Sequence, residues 1–428
     1  MSRLLLKGGR IVDPSLKLDQ VWDLLIEDDR VEAVGKDLPQ DSDTEVIDLA
    51  GMVVAPGFVD MHVHLREPGY EYKETVASGT AAAAAGGFAG VACMPNTDPV
   101  NDNRAVTELI LDRAATEGSV PVYPIGAVSV GSKGEQMAEI GDLVDAGCVA
   151  VSDDGHPVAT SFLMRRALEY TKMFGIPVID HCEDMSLTVR SSMHEGTAST
   201  RLGLRGHPGA AEEIIVARDV ILAELTGGRL HCAHMSTAGA LRHLREAKQR
   251  EVAVTCEVTP HHFTLIDEAV SSFDTNTKVN PPLRGPEDRE AVLAALTDGT
   301  IDVIATDHAP HHADEKNVEY DIALPGIIGF ETAVPLACEH LVHTGLIDVS
   351  RLVELFSVNP CRILGIAGGT LEAGAPAHVT VLDMERKATV DISASRGKSR
   401  NSPFDGLELR GWPAMTIVGG KVVWQCGA

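Results

Sequence analysis

Through the middle of the chain, short runs of β-branched and apolar residues alternate with longer Ala- and Leu-rich stretches. The runs occupy 57–64, 90–94, 122–128, 148–152, 177–181, 229–234, 252–258 and 302–306. Between and after them lie patterns such as YKETVASGTAAAAAGG and AVPLACEHLVHTG, which predict helices. Strands alternating with helices eight times over predict an α/β fold, a parallel (β/α)₈ barrel. An open doubly wound sheet would carry a G-x-G-x-x-G turn after its first strand, and none follows 57–64. The ends of the chain have a different texture. Short strands are expected at 4–6, 10–12, 22–26 and 31–34, then again at 378–383, 407–409 and 416–424, where a Gly-Gly step suits a tight hairpin. Neither end has enough apolar area alone. The economical arrangement is one small discontinuous β-sandwich domain from residues 1–54 and 371–428, with the barrel, 55–370, inserted between its halves.

A chain of 428 residues can hold a barrel of about 250 residues and a second unit beside it. The formal net charge of -26 repels phosphate backbones and anionic headgroups, so neither nucleic acid nor membrane is an expected partner. An anionic small molecule would need local cations or metal to overturn that field. The eight cysteines form no C-x-x-C pair, as expected of buried thiols in a reducing compartment. The three leucines near residue 4 are too short a run for a secretory segment, and the cytoplasm is the expected location.

Polar residues gather where the strands end. The first run ends in DMHVHLR, and a side-chain period of two puts His62, His64 and Arg66 on one face. The fourth ends in SDDG, the fifth in DHCE with His181, the sixth in HCAH with His234, and the eighth in TDHAPH with Asp307, His308 and His311. In a (β/α)₈ barrel these ends converge on one mouth, where active sites of the fold are built. Neutral imidazoles with carboxylates are the ligand set of Zn²⁺, either one ion with an open position or two sharing a bridging carboxylate. A hydrolytic metal centre is the direct reading. Asp307 is the candidate to orient a nucleophilic water and shuttle its proton. Of Asp153 and Asp154, neighbours on a strand, only one can face the metal. Arg66 is suited to grip a substrate carboxylate. Asn96 and Asn280 fit either substrate binding or ordinary turn chemistry. Among the other histidines, His231 is offset by an odd number from His234 and is expected to face the helix layer. His261 and His262 are expected to satisfy local hydrogen bonds near the rim.

The segments PGFVDMHVHLREPG (56–69) and ATDHAPHHADEK (305–316) closely resemble the signature segments of the dihydroorotase family in the amidohydrolase superfamily. CMPNT (93–97), VSDDG (151–155), KVNPPLR (278–284) and GIIGFETAVPL (326–336) extend the resemblance over essentially the whole chain. It implies interconversion of N-carbamoyl-L-aspartate and L-dihydroorotate in pyrimidine biosynthesis. It implies one zinc on His62, His64 and Asp307 and a second on His181 and His234, with Asp154 bridging and Asp307 as acid/base. Arg66, Asn96 and His311 would hold the substrate carboxylate, and Asn280, Pro325 and Gly326 the ring amide. CVAVSDDG contains no lysine, so the chain resembles the long, aspartate-bridged dihydroorotases rather than hydantoinases and dihydropyrimidinases, which resemble a carboxylated-lysine subgroup. A homodimer or higher homo-oligomer is expected, and a complex with aspartate transcarbamoylase is the further partner to consider. The intact ligand positions count against a purely scaffolding role in such a complex.

Overall fold

The computed structural model describes residues 2–427. The chain opens with five strands, β1 (Arg3–Asp13), β2 (Leu18–Glu27), β3 (Arg30–Gly35), β4 (Thr44–Asp48) and β5 (Val53–Pro56). Five more follow, separated by helices: β6 (Phe58–Val63), β7 (Phe88–Cys93), β8 (Val122–Gly126), β9 (Ala150–Val151) and β10 (Val178–Asp180). A two-stranded parallel ribbon, β11 (Met193–His194) with β12 (Gly206–His207), precedes β13 (Leu230–Cys232), β14 (Val254–Val258) and β15 (Val303–Ile304). The chain ends in β16 (Val379–Thr389), β17 (Glu408–Val418) and β18 (Lys421–Gln425).

Strands β6 to β10 and β13 to β15 pair in parallel, in chain order. The circle is completed where His64 N donates to His308 O at 2.9 Å, in a parallel bridge between Val63 and His308. Each of the eight predicted runs therefore overlaps a barrel strand, β7 starting two residues before its run. Every residue of β6 and β7 is buried, as expected where helices cover one face and the barrel interior the other. The Ala-rich stretch forms the helix Val76–Ala85, opened by a reciprocal cap between Thr75 and Ser78 at 3.1 Å each way. Its small side chains allow close packing against β7.

Strands from both chain ends build one sheet in the order β18-β17-β16-β5-β1-β2-β3, with β4 also pairing β1. Two expected short strands fuse into β1, through a register shift between Leu6 and Gly9. Gly419 and Gly420, both at positive φ, form the tight β17–β18 hairpin that the Gly-Gly step predicted. The apolar inner face of this sheet includes Leu6, Ile11, Ile26, Val54, Val379 and Ile417. Among the described residues no helix is long and apolar enough to cross a membrane.

Candidate active site

Four imidazoles and two carboxylates meet at the C-terminal mouth of the barrel. The His62 Nε2 lies 3.4 Å from Asp154 Oδ1 and 3.6 Å from Asp307 Oδ1. His64 Nε2 lies 3.0 Å from Asp307 Oδ1 and 3.5 Å from Asp154 Oδ2. On the other side of Asp154, His234 Nε2 and His181 Nδ1 stand 3.7 and 3.8 Å from Oδ1 and 2.9 Å from each other. Asp154 is thus central to the six. Asp153 points away and accepts from the Ser129 backbone at 2.9 Å and its hydroxyl at 2.5 Å.

The cluster has the character of a metal site. His62, His64 and Asp307 can each offer an atom to one ion, and so can His62, Asp154 and His234. His62 Nε2 and Asp154 Oδ1 are buried yet lack hydrogen-bond partners, an arrangement that is costly without a cation between them. The opposite ring nitrogens are fixed. His62 Nδ1 donates to Glu257 Oε1 at 2.5 Å, His64 Nδ1 to Asn96 Oδ1 at 2.8 Å, and His181 Nε2 to Glu183 Oε2 at 2.9 Å. Each bond leaves the other nitrogen as the free ligand atom. Burial works to raise the Asp307 carboxyl, but His64, 3.0 Å away, and the other nearby imidazoles outweigh it and hold it at about 2.

His64, Arg66, Asn96, Asp154, His181, His234, Asn280, Asp307, His311, Pro325 and Gly326 line one cavity of about 200 Å³. With His62 at its floor, the structure brings together all twelve residues singled out from the sequence. Arg66 Nε donates to Pro310 O at 3.2 Å. His311 Nε2 donates to Pro325 O at 2.9 Å, and burial followed by the nearby Arg66, Lys73 and Lys316 charges brings this imidazole down to about 3. It is therefore a neutral donor at working pH. A Cβ on Gly326, at φ +131°, would lie 3.0 Å from His311 Nε2, so only glycine lets this backbone approach the cavity. Asn280 bonds inward, its amide donating to Glu183 Oε2 at 2.8 Å.

Two readings of the histidines need correction. His231 does not face the helix layer: its Nε2 donates to Glu257 Oε2 at 3.1 Å and its Nδ1 meets Thr255 Oγ1 at 2.8 Å. The odd-offset argument fails because β13 ends at Cys232, and His234 lies beyond it at φ +37°, where strand alternation no longer applies. Arg66 and Asp307 also sit at positive φ, at +64° and +48°. Such backbone costs about 1–3 kcal/mol per residue and clusters at functional sites. His262 bonds Thr259 and Pro281 locally, whereas His261 Nε2 is buried without a partner. His308 is structural, accepting from Gly329 N and stacked on Phe330 at 3.9 Å. Glu183, Glu257 and Asn401 escaped the sequence reading. Asn401 accepts from His311 N and donates to Ala309 O and Gly326 O, tying the cavity wall to the C-terminal segment.

Among solved structures, the fold matches an L-hydantoinase from Arthrobacter aurescens at TM-score 0.91 and 24% identity, covering 100% of this chain and 97% of that one. It also matches a dihydropyrimidinase from Brevibacillus agri at TM-score 0.87 and 22% identity, covering 99% and 95%. At those identities the likeness is one of fold. Barrel, end sheet and site together define a metal-dependent cyclic-amide hydrolase of the amidohydrolase class. Curated proteins named dihydroorotase are 56% identical in Geobacter metallireducens, over 99% of both chains, and 53% identical in Acetivibrio thermocellus, over 98% of both. A family model described as dihydro-orotase-like matches residues 51–240, and the chain belongs to the dihydroorotase family.

Proposed function

We propose that this chain catalyses the reversible cyclisation of N-carbamoyl-L-aspartate to L-dihydroorotate with zinc, in the cytoplasm. The observation that carries the reading is the adjacency of a His/Asp ligand cluster to a carboxylate grip, Arg66, Asn96 and His311, inside one small cavity. His62, His64 and Asp307 would hold one metal and His181 and His234 the other, with Asp154 between them. When bound, the metals supply an acidified water and a Lewis acid for the ring carbonyl. The protein does the rest. The Arg66 guanidinium, with Asn96 and His311 beside it, binds the substrate carboxylate, which fixes the ring and screens its charge in a chain of net charge -26. Asn280 and the Pro325–Gly326 backbone orient the ring amide. In the opening direction the Asp307 carboxylate takes a proton from the attacking water and delivers it to the leaving ring nitrogen. Ring closure retraces the path.

The test is hydrolysis of L-dihydroorotate by purified protein, with metal content measured on the same sample. Turnover that is lost on chelation and restored by Zn²⁺ is expected. Bound metal without turnover on dihydroorotate, but with turnover on a hydantoin, would transfer the assignment to an uncharged cyclic amide.

A further inference from the structure

Glu257 is the penultimate residue of β14, fully buried, and faces the barrel interior from beneath the cluster. Its two oxygens accept from three donors. Oε1 takes the Nδ1–H of His62 at 2.5 Å and the backbone N–H of His234 at 3.2 Å, while Oε2 takes the Nε2–H of His231 at 3.1 Å. The next contact along the strand repeats the link, since Met235 N donates to Glu257 O at 2.9 Å. One carboxylate therefore touches the side chain of a ligand assigned to the first metal and the backbone of a ligand assigned to the second. That backbone needs holding, because His234 is a non-glycine residue at φ +37°. His231, bonded in turn to Thr255, completes the support on the far side of the carboxylate.

We infer that Glu257 is a positioning residue that couples the two metal positions: it aims His62 Nε2 at one and fixes the left-handed turn that aims His234 at the other. The inference rests on the two-metal reading proposed above. Glu183 supplies the contrast. It accepts from the Thr188 hydroxyl and orients His181, at 2.9 Å, and Asn280, at 2.8 Å, with no bond to His62 or to the His234 backbone. The outer carboxylates of the site are thus not equivalent, one serving a single ligand and the other both halves.

The experiment is chelator competition with metal analysis on wild type, Glu257→Gln, Glu183→Gln and His231→Leu, with thermal unfolding of each metal-free protein alongside. Loss of a ligand-orienting partner weakens metal binding about 10- to 100-fold. Glu257→Gln is expected to weaken both metals by such a factor, and Glu183→Gln only one, giving a biphasic release curve. His231→Leu, which keeps every ligand and Glu257 itself, is expected to weaken both by less. Both metals bound as tightly in Glu257→Gln as in wild type, with only the metal-free unfolding temperature lowered, would make Glu257 a structural residue and overturn the inference. Loss of one metal alone in that variant would also overturn it, by removing the coupling. Wild-type protein that retains no metal in these conditions would overturn the two-metal reading itself.

Discussion

Asp307 occupies a left-handed backbone position three residues beyond β15, and the surrounding imidazoles keep its carboxyl ionised, as the proposed proton acceptor must be before it acts. Asp307→Asn keeps the shape and removes the base, so kcat for dihydroorotate is expected to fall by about 10²- to 10⁴-fold. The metal content of that variant, measured in parallel, separates a lost base from a lost ligand. Arg66→Met removes a charged hydrogen bond worth about 1.5–3 kcal/mol, so kcat/KM for dihydroorotate should drop about 10- to 100-fold. An unchanged kcat/KM would withdraw the carboxylate assignment. These residues were legible because each closes a strand run, where the barrel mouth must lie, and because they share recognisable motifs. Glu257 and His231 were not. Their side chains point into the interior below the mouth, and nothing in the local pattern VAVTCEV marks one glutamate as a buried acceptor for three donors. Parity along β13 misled because it was extended past the last residue that alternation governs.

At the scale of elements, the strands and main helices followed from periodicity, since a buried parallel strand and an amphipathic or Ala-rich helix leave different signatures. The ribbon of β11 and β12 and the four-residue helix Ala313–Lys316 left none, being shorter than any period they could display. That short helix matters, because it ends in Lys316, whose amine donates to Leu324 O at 2.9 Å, Gly326 O at 3.1 Å and, at 3.5 Å, Lys278 O. One side chain thus staples the segments that carry His311, Gly326 and Asn280. Burial, and then the neighbouring Lys278, lower the Lys316 amine from 10.5 to about 7. Between those values the unfolded chain binds more protons than the folded one, so this residue makes stability rise with pH through that window. Below about 7 the folded state carries the full cost of the buried charge. Lys316→Met cannot titrate. The stability advantage of wild type over this variant is therefore expected to be larger at about pH 9.5 than at about pH 6.5, as read by chemical denaturation. An advantage independent of pH would show that the amine does not titrate in this window.

Over the whole molecule, the chain is arranged so that its two ends close a sheet and its middle closes a barrel, with β5 running directly into β6 through Gly57. The strand that carries His62 and His64 is therefore anchored at its start by the end sheet and at its finish by the bridge to His308. Beside the bond from Gly57 N to His378 O, the starting anchor includes one buried hydroxyl. Thr380, on β16, accepts from Phe58 N at 2.9 Å and donates to Gly87 O at 2.8 Å, joining the end sheet to the first two barrel strands. Nothing in the sequence distinguishes this threonine from others in an alternating strand, because its partners lie about three hundred residues away. Thr380→Val preserves volume and removes both bonds, leaving a buried N–H and a buried carbonyl without their partner, which costs about 1–3 kcal/mol for each group left unsatisfied. The proposed metal ligands His62 and His64 lie at the opposite end of β6, where the bonds to Glu257 and Asn96 are independent of Thr380. Thr380→Val is therefore expected to lower the unfolding temperature while leaving metal affinity and KM near wild type. A large loss of metal affinity in the folded variant would instead mean that the end sheet sets the register of the ligand strand, and that the site is built across both parts of the molecule.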